Sequence, residues 1–223
     1  MTEYIEKYYD NNKQHIEYKG LLVNGKKEGE WIEGYFLKQK SFLSQNINNR
    51  DYLFLNGNFY YYSKINYINN KINGILQVYT DDDKLEHEYT YSNGIKNGPY
   101  KIYYSFILAT DLYLNMNYIG NIMEEGEYVN GEKNGINKIY YKNGLLKEQC
   151  TFIKDEIQGP YKIYTYNGEL YEESEYKYGL KNGPYKLYRN GKIFREGEYI
   201  EDCKTPFYKE YNNGCIYFGR ISY

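Results

Sequence analysis

The chain has 223 residues, 34 of them tyrosine, with a formal net charge of −2 and a pI near 5.9. That balance excludes the strongly basic face that nucleic acid requires, and no run of about 18 apolar residues marks a membrane-spanning helix. Cys150, Cys203 and Cys215 are odd in number and follow no spacing, so they read as free thiols in a reducing compartment and not as disulfide or zinc ligands. The first residues, Met1 to Lys7, lack a basic end followed by an apolar core. The cytoplasm is therefore the expected location, the host cytoplasm if the chain is viral.

Taken in order, residues 4–9 read as a first strand and 10–14 as a polar turn. Ile16, Tyr18, Gly20 and Leu22 alternate as a second strand should. Gly25 to Trp31 is the first full copy of a motif: two glycines four apart, then an aromatic run. Residues 33–66 hold a degraded unit, in which Tyr52–Leu55 and Phe59–Tyr62 flank an Asn56-Gly57 turn. Gly74 restores the motif through Val78-Tyr79 to a turn at Asp81–Asp83. Near copies follow at Asn97–Tyr104, Gly135–Tyr141, Gln158–Tyr164 and Asn182–Tyr188, and Cys215–Phe218 closes the series. Gly135, Gly159 and Gly183 are 24 residues apart, and the next such position falls on Pro206. A fixed period of that size signals a repeat architecture. From Gly98 to Gly135 the step is 37, which leaves an insertion at about residues 105–117.

Each unit reads as two strands joined by Asn-Gly turns, as at 143–144, 167–168 and 190–191. The expected fold is all-β: one domain over residues 1–223, an elongated antiparallel meander of about eight β-hairpin units. A two-residue loop is expected at Asn143-Gly144 and a three-residue loop at Arg189–Gly191. The inner face then carries Ile102, Ile139, Ile163 and Leu187 beside Leu85, Ile122, Leu146, Leu170 and Ile193. Tyr91, Tyr128, Phe152, Tyr176 and Tyr199 close the second strands. Small residues at Gly20, Gly126, Cys150, Ser174 and Gly197 leave room for neighbouring rings.

The outer face is expected to carry Lys101, Lys138, Lys162 and Lys186, several glutamates, and a tyrosine column at Tyr103, Tyr140, Tyr164 and Tyr188. That column packs across strands or binds a partner, since tyrosine is enriched at interface cores. In the insertion, Leu112 and Leu114 alternate with polar or aromatic residues, and Phe106 and Leu108 stand opposite. They predict an extended hairpin whose apolar side chains meet a partner or cap the degraded unit. His15 and His87 lie in different units, each expected on a strand, and Asp81–Asp83 lacks the spaced ligands of a calcium loop. No acid, base and nucleophile converge, so no enzyme, catalytic residue, metal site or cofactor is expected.

The segments Gly94–Tyr104, Gly131–Gly144, Asp155–Gly168 and Gly179–Gly191, with Gly25–Trp31 and Asn70–Tyr79 less well, resemble MORN repeats of the YwqK-like variant form. The resemblance covers most of the chain, with poor agreement at 33–66 and in the insertion. It implies an antiparallel β meander and a protein-binding role, in some relatives as an antitoxin-like component. Its motif contains no catalytic residue. A scaffold associating with membrane lipid is a second possibility, opposed by the acidic pI and the lack of a basic amphipathic stretch. A structural repeat protein of a large DNA virus is a third.

Overall fold

The structure, a computed structural model, describes residues 1–39, 57–104, 118, 120–212 and 214–220. Two compact units divide the chain, Met1–Gly94 and Ile95–Tyr223. Every regular element among the described residues is a β-strand, and within each unit strands close in sequence pair antiparallel, β8 with β10 and β11 with β13 among them. The first unit holds β1 (Thr2–Tyr8), β2 (Ile16–Val23), β3 (Lys26–Gln39), β4 (Gly57–Ile68), β5 (Lys71–Thr80) and β6 (Leu85–Ser92). The second begins with β7 (Ile95–Tyr103), β8 (Ile122–Val129), β9 (Glu132–Lys133), β10 (Gly135–Tyr140), β11 (Leu146–Ile153) and β12 (Glu156–Ile157). It continues with β13 (Gly159–Tyr164), β14 (Leu170–Lys177), β15 (Leu180–Arg189), β16 (Lys192–Ile200), β17 (Cys203–Asn212) and β18 (Cys215–Arg220).

The turns reverse the loop lengths expected from sequence. At 142–144 the loop has three residues: the Tyr141 N–H donates to the Leu145 carbonyl at 2.8 Å, and in the loop only Gly144 has positive φ. At 190–191 the loop has two, because Arg189 pairs with Lys192 and both Asn190 (φ 52°) and Gly191 (φ 70°) are left-handed. Two left-handed residues in succession define the turn whose twist suits a two-residue hairpin. The same turn joins successive units, at Asn24-Gly25, Asn130-Gly131, Lys154-Asp155 and Glu201-Asp202.

These connecting turns also bond to one another. The backbone N–H of Gly131 donates to the Lys96 carbonyl, that of Asp155 to Lys133, that of Gly179 to Ile157 and that of Asp202 to Lys181, at 2.8–3.0 Å. Where aspartate replaces glycine, its carboxylate accepts a further bond from the Lys133 or Lys181 N–H, each at 2.7 Å. Asx side chains tolerate the left-handed region and bond locally in this way.

A second correction concerns facing. Four second strands of the second unit carry one extra residue where they meet the first, Met123, Lys147, Tyr171 and Phe194, whereas β18 pairs with β17 without one. Such a bulge places two residues against one and shifts the register. Ile122, Leu146, Leu170 and Ile193 therefore stand opposite Tyr103, Tyr140, Tyr164 and Tyr188, on the outer face. Leu85 stands opposite Tyr79 for the same reason. The inner partners of Ile102, Ile139, Ile163 and Leu187 are instead Glu124, Glu148, Glu172 and Arg195. In the first unit, Phe59–Tyr62, expected in a hairpin with residues 52–55, pairs with Gly34–Leu37 of β3. Residues 52–56 lie outside the described residues.

The column of small residues holds as expected. A β-carbon on Gly126 would lie 2.9 Å from the Tyr100 ring, and one on Gly197 would lie 2.8 Å from Tyr185. Lysines cover the rings from above: Lys27 over Trp31 at 4.7 Å, Lys133 over Tyr100 at 5.3 Å and Lys204 over Tyr185 at 5.1 Å. Their aliphatic stems shield apolar surface while the ammonium reaches a polar partner. This arrangement leaves Trp31 and Tyr100 only 2 % exposed.

The facing gives a direct expectation. Ile163 lies between Glu148 and Glu172 on the inner face. Ile163→Asp adds a third carboxylate to that row and should cost roughly 3 kcal/mol, as an unpaired charge does when water is largely excluded. Lys162→Asp, one residue away, loses an ion pair to Glu173 (3.1 Å) that is partly solvated, and should cost under about 1 kcal/mol. Thermal melts of the two variants check this, and equal losses would contradict the facing.

Candidate interaction face

Two faces result, and they differ in what they leave for a ligand. The inner face meets its glutamates from within the sheet, while the buried Ser174 hydroxyl makes no hydrogen bond. Glu124 accepts hydrogen bonds from the Tyr100 hydroxyl (2.6 Å), Lys133 Nζ (2.7 Å) and Asn137 Nδ2 (3.1 Å). Burial works to raise its pKa, but these three donors outweigh it and hold the carboxyl below the ordinary range. Glu148 is treated in the same way, with burial opposed by donors on Tyr161 and Lys147. Glu172 receives Lys181 at 2.6 Å. Cys150 lies buried in this face, and burial pushes its thiol up to about 11. Such a thiol is a packing residue and a poor nucleophile.

Sequence reasoning gives no role to these glutamates or to the covering lysines. The lysines do carry a visible signal. Lys27, Lys96, Lys133, Lys181 and Lys204 each stand two residues after the second residue of a connecting turn. The glutamates are hidden by the bulge, which alters strand parity just before them.

The outer face has three rows. In the middle one, lysine and glutamate alternate from strand to strand. Lys138 reaches Glu125 at 3.7 Å, Lys162 reaches Glu173 at 3.1 Å, and Lys209 reaches Glu196 at 3.2 Å. The second row is the expected tyrosine column. Tyr103, Tyr140, Tyr164 and Tyr188 are all half-buried and all lie on this face, packed beside the second-strand aliphatics. The hydroxyls of Tyr140 and Tyr188 donate to Glu125 and Glu173, each at 2.6 Å, and Tyr211 donates to Glu196 at 2.8 Å. Burial and these carboxylates push Tyr140 and Tyr188 up to about 12. Their polar ends are thus already engaged within the sheet. Phe106, Leu108, Leu112 and Leu114, with the hairpin expected at 105–117, lie outside the described residues.

The third row runs beside the connecting turns and is absent from the sequence-based expectations. Ile95, Val129, Ile136, Ile153, Leu180, Ile200 and Phe207 are all exposed large apolar residues of the second unit. Pro99, Pro160 and Pro184 hold the equivalent of the Ile136 position, each opposite a glutamate: Glu127, Glu175 and Glu198. Ile136 is 57 % exposed and Ile200 59 %. The strand period contains the signal, because these residues share parity with the outer lysines. Their apolar character passes in the sequence for ordinary strand propensity.

In the first unit, two features that are separate in sequence come together. His15 lies in the bend before β2 and not on the expected strand. Its Nδ1 is 2.6 Å from Asp10, its Nε2 is 3.7 Å from Asp81, and its ring meets Tyr60 edge-on at 4.7 Å. This clasp ties the β1–β2 turn to the β5–β6 turn. Among the described residues, no group of three His, Cys, Asp or Glu side chains converges as a metal site would need. No protein-family model matches the chain, and no curated protein matches it either.

Proposed function

We propose that the chain is a non-enzymatic repeat protein that binds another protein along the outer face of its second unit. The observation that carries this reading is the exposed apolar row beside the connecting turns. Isolated apolar residues on a surface need no explanation, but exposed apolar residues repeated unit after unit on one side of a sheet, bordered by polar groups, suggest a contact site. The similarity to MORN repeats of the YwqK-like form supports the same reading and suggests a neutralising, antitoxin-like role for the complex. A lipid-binding scaffold fits less well. Glu127, Glu175 and Glu198 border the row and would repel an anionic membrane surface.

Affinity capture from the native cells, read by mass spectrometry, tests the proposal. The wild-type chain should enrich a specific protein, and a variant with Ile136, Ile153 and Ile200 all changed to glutamate should lose it while melting normally. Capture that survives in that variant would move the binding surface elsewhere. Flotation of the wild-type chain with anionic vesicles would favour the scaffold instead.

A further inference from the structure

The last hairpin departs from the pattern of those before it. On the outer middle row the earlier second strands of this unit carry Glu125, Gln149, Glu173 and Glu196, whereas β18 carries Phe218, which is 80 % exposed. β18 reads Cys215-Ile216-Tyr217-Phe218-Gly219-Arg220 and contains no lysine, acid or proline. These are the devices that keep an open strand edge from pairing with another chain. β1, by contrast, carries Glu3, Glu6 and Lys7. β18 pairs with β17 and with no other described strand. Its outward side chains, Ile216 and Phe218, are exposed, as is Phe207 across the hairpin.

We propose that β18 pairs antiparallel with β18 of a second copy, about a two-fold axis at Tyr217. Charge and side-chain matching select both the occupant and the register. A strand whose only charge is Arg220, at one end, pairs with itself in the antiparallel sense without opposing like charges. With the axis at Tyr217, Ile216 faces Phe218 of the second copy, twice, on the outer face. Cys215 faces Gly219 on the inner face. An axis at Phe218 would instead set Ile216 against Arg220. Pairing with β1 of another copy, in the register seen where β14 meets β15, would place Glu6 beside Phe218 and leave that carboxylate facing an aromatic ring. Two-fold dimers with a self-complementary patch are also the commonest assembly. The proposal stands apart from the partner-binding reading, because its test leaves Ile136, Ile153 and Ile200 unchanged.

Sedimentation equilibrium over a range of concentrations tests it. The wild-type chain should approach twice its 26.8 kDa mass, and Phe218→Lys and Ile216→Lys should each return it to the single mass with unchanged circular dichroism. The register is tested separately in a chain whose three native cysteines are replaced. There Tyr217→Cys should form a disulfide-linked dimer on mild oxidation, because directly opposed residues bring their β-carbons to about 4.5–5.5 Å. Should a lysine variant fail to fold, this cross-link decides alone. A wild-type chain that stays monomeric, a dimer indifferent to Phe218→Lys, growth beyond the dimer, or a Tyr217→Cys variant that does not cross-link would overturn the proposal.

Discussion

Gly20→Val should cost about 3–5 kcal/mol and turn the protein's only tryptophan out toward water. A β-carbon at this position would lie 2.3 Å from Trp31 Cδ2 and 2.4 Å from Cε2. The ring has nowhere to yield. Tyr67 meets it edge-on at 6.2 Å, Lys27 covers it, and its Nε1 donates to the Leu21 carbonyl at 3.2 Å. Overpacking alone costs about 1–3 kcal/mol, and losing the burial of a tryptophan brings the total to the range seen for Trp→Ala. Urea midpoints measure the loss, and a red shift of tryptophan emission reports the displaced ring. Gly25→Ala is the control. There a β-carbon meets nothing within 4 Å, and only the φ of +74° is unfavourable, a cost of about 1 kcal/mol. If the two variants lost equal stability, backbone conformation and not ring packing would govern the small-residue column.

The second large effect is alkaline unfolding. Burial, reinforced by the carboxylate of Glu86, pushes the Tyr61 hydroxyl up to about 12. Burial does the same for Tyr60, to about 12, and its hydroxyl donates to the Ile16 carbonyl. Both side chains are buried. In the unfolded chain tyrosine ionises near 10. A folded value raised above the unfolded one contributes stability that is fully present below about pH 10 and is lost as pH rises toward 12. Raising a phenol from about 10 to about 12 corresponds to roughly 2–3 kcal/mol at most for each ring, against a total that is typically 5–15 kcal/mol. A cooperative transition between about pH 10 and 12 is therefore expected, with circular dichroism and tyrosinate absorbance changing together. Tyr61→Phe should move that midpoint upward with little effect at neutral pH. Tyrosinate absorbance rising gradually over folded protein would refute the coupling.

Much of this is legible in the sequence because the repeat supplies its own comparison. A residue as small as Gly126, Cys150, Ser174 or Gly197 at one position of every unit points to a ring beside it, and Tyr100 and Tyr185 fill that space. Loop length is not legible, because Asn-Gly satisfies both turns. In Lys142–Gly144 only the glycine is left-handed, and in Asn190-Gly191 both residues are. The bulges are invisible for a related reason. Met123, Lys147, Tyr171 and Phe194 share no side-chain chemistry, so nothing in the residues announces an unpaired position. That one hidden residue changes the partners of every isoleucine on the inner face. It also conceals Glu124, Glu148 and Glu172, which look from sequence like members of the solvated glutamate set.

The bonded turns bear on how such a chain can change its length. Each connecting turn reaches back only to the strand two residues beyond the previous turn, as Asp155 does to Lys133 and Asp202 to Lys181. The contract between hairpins is thus local and nearly identical at each junction. A duplicated stretch of 24 residues, in frame with the turns, would find its donors and acceptors already in place on both sides. A deletion of the same size would close the gap without orphaning a buried group. Gene duplication and loss could then add or remove hairpins as neutral steps, and extra residues within a hairpin are tolerated too: 37 residues separate Gly94 from Gly131, yet the Gly131 N–H still reaches the Lys96 carbonyl.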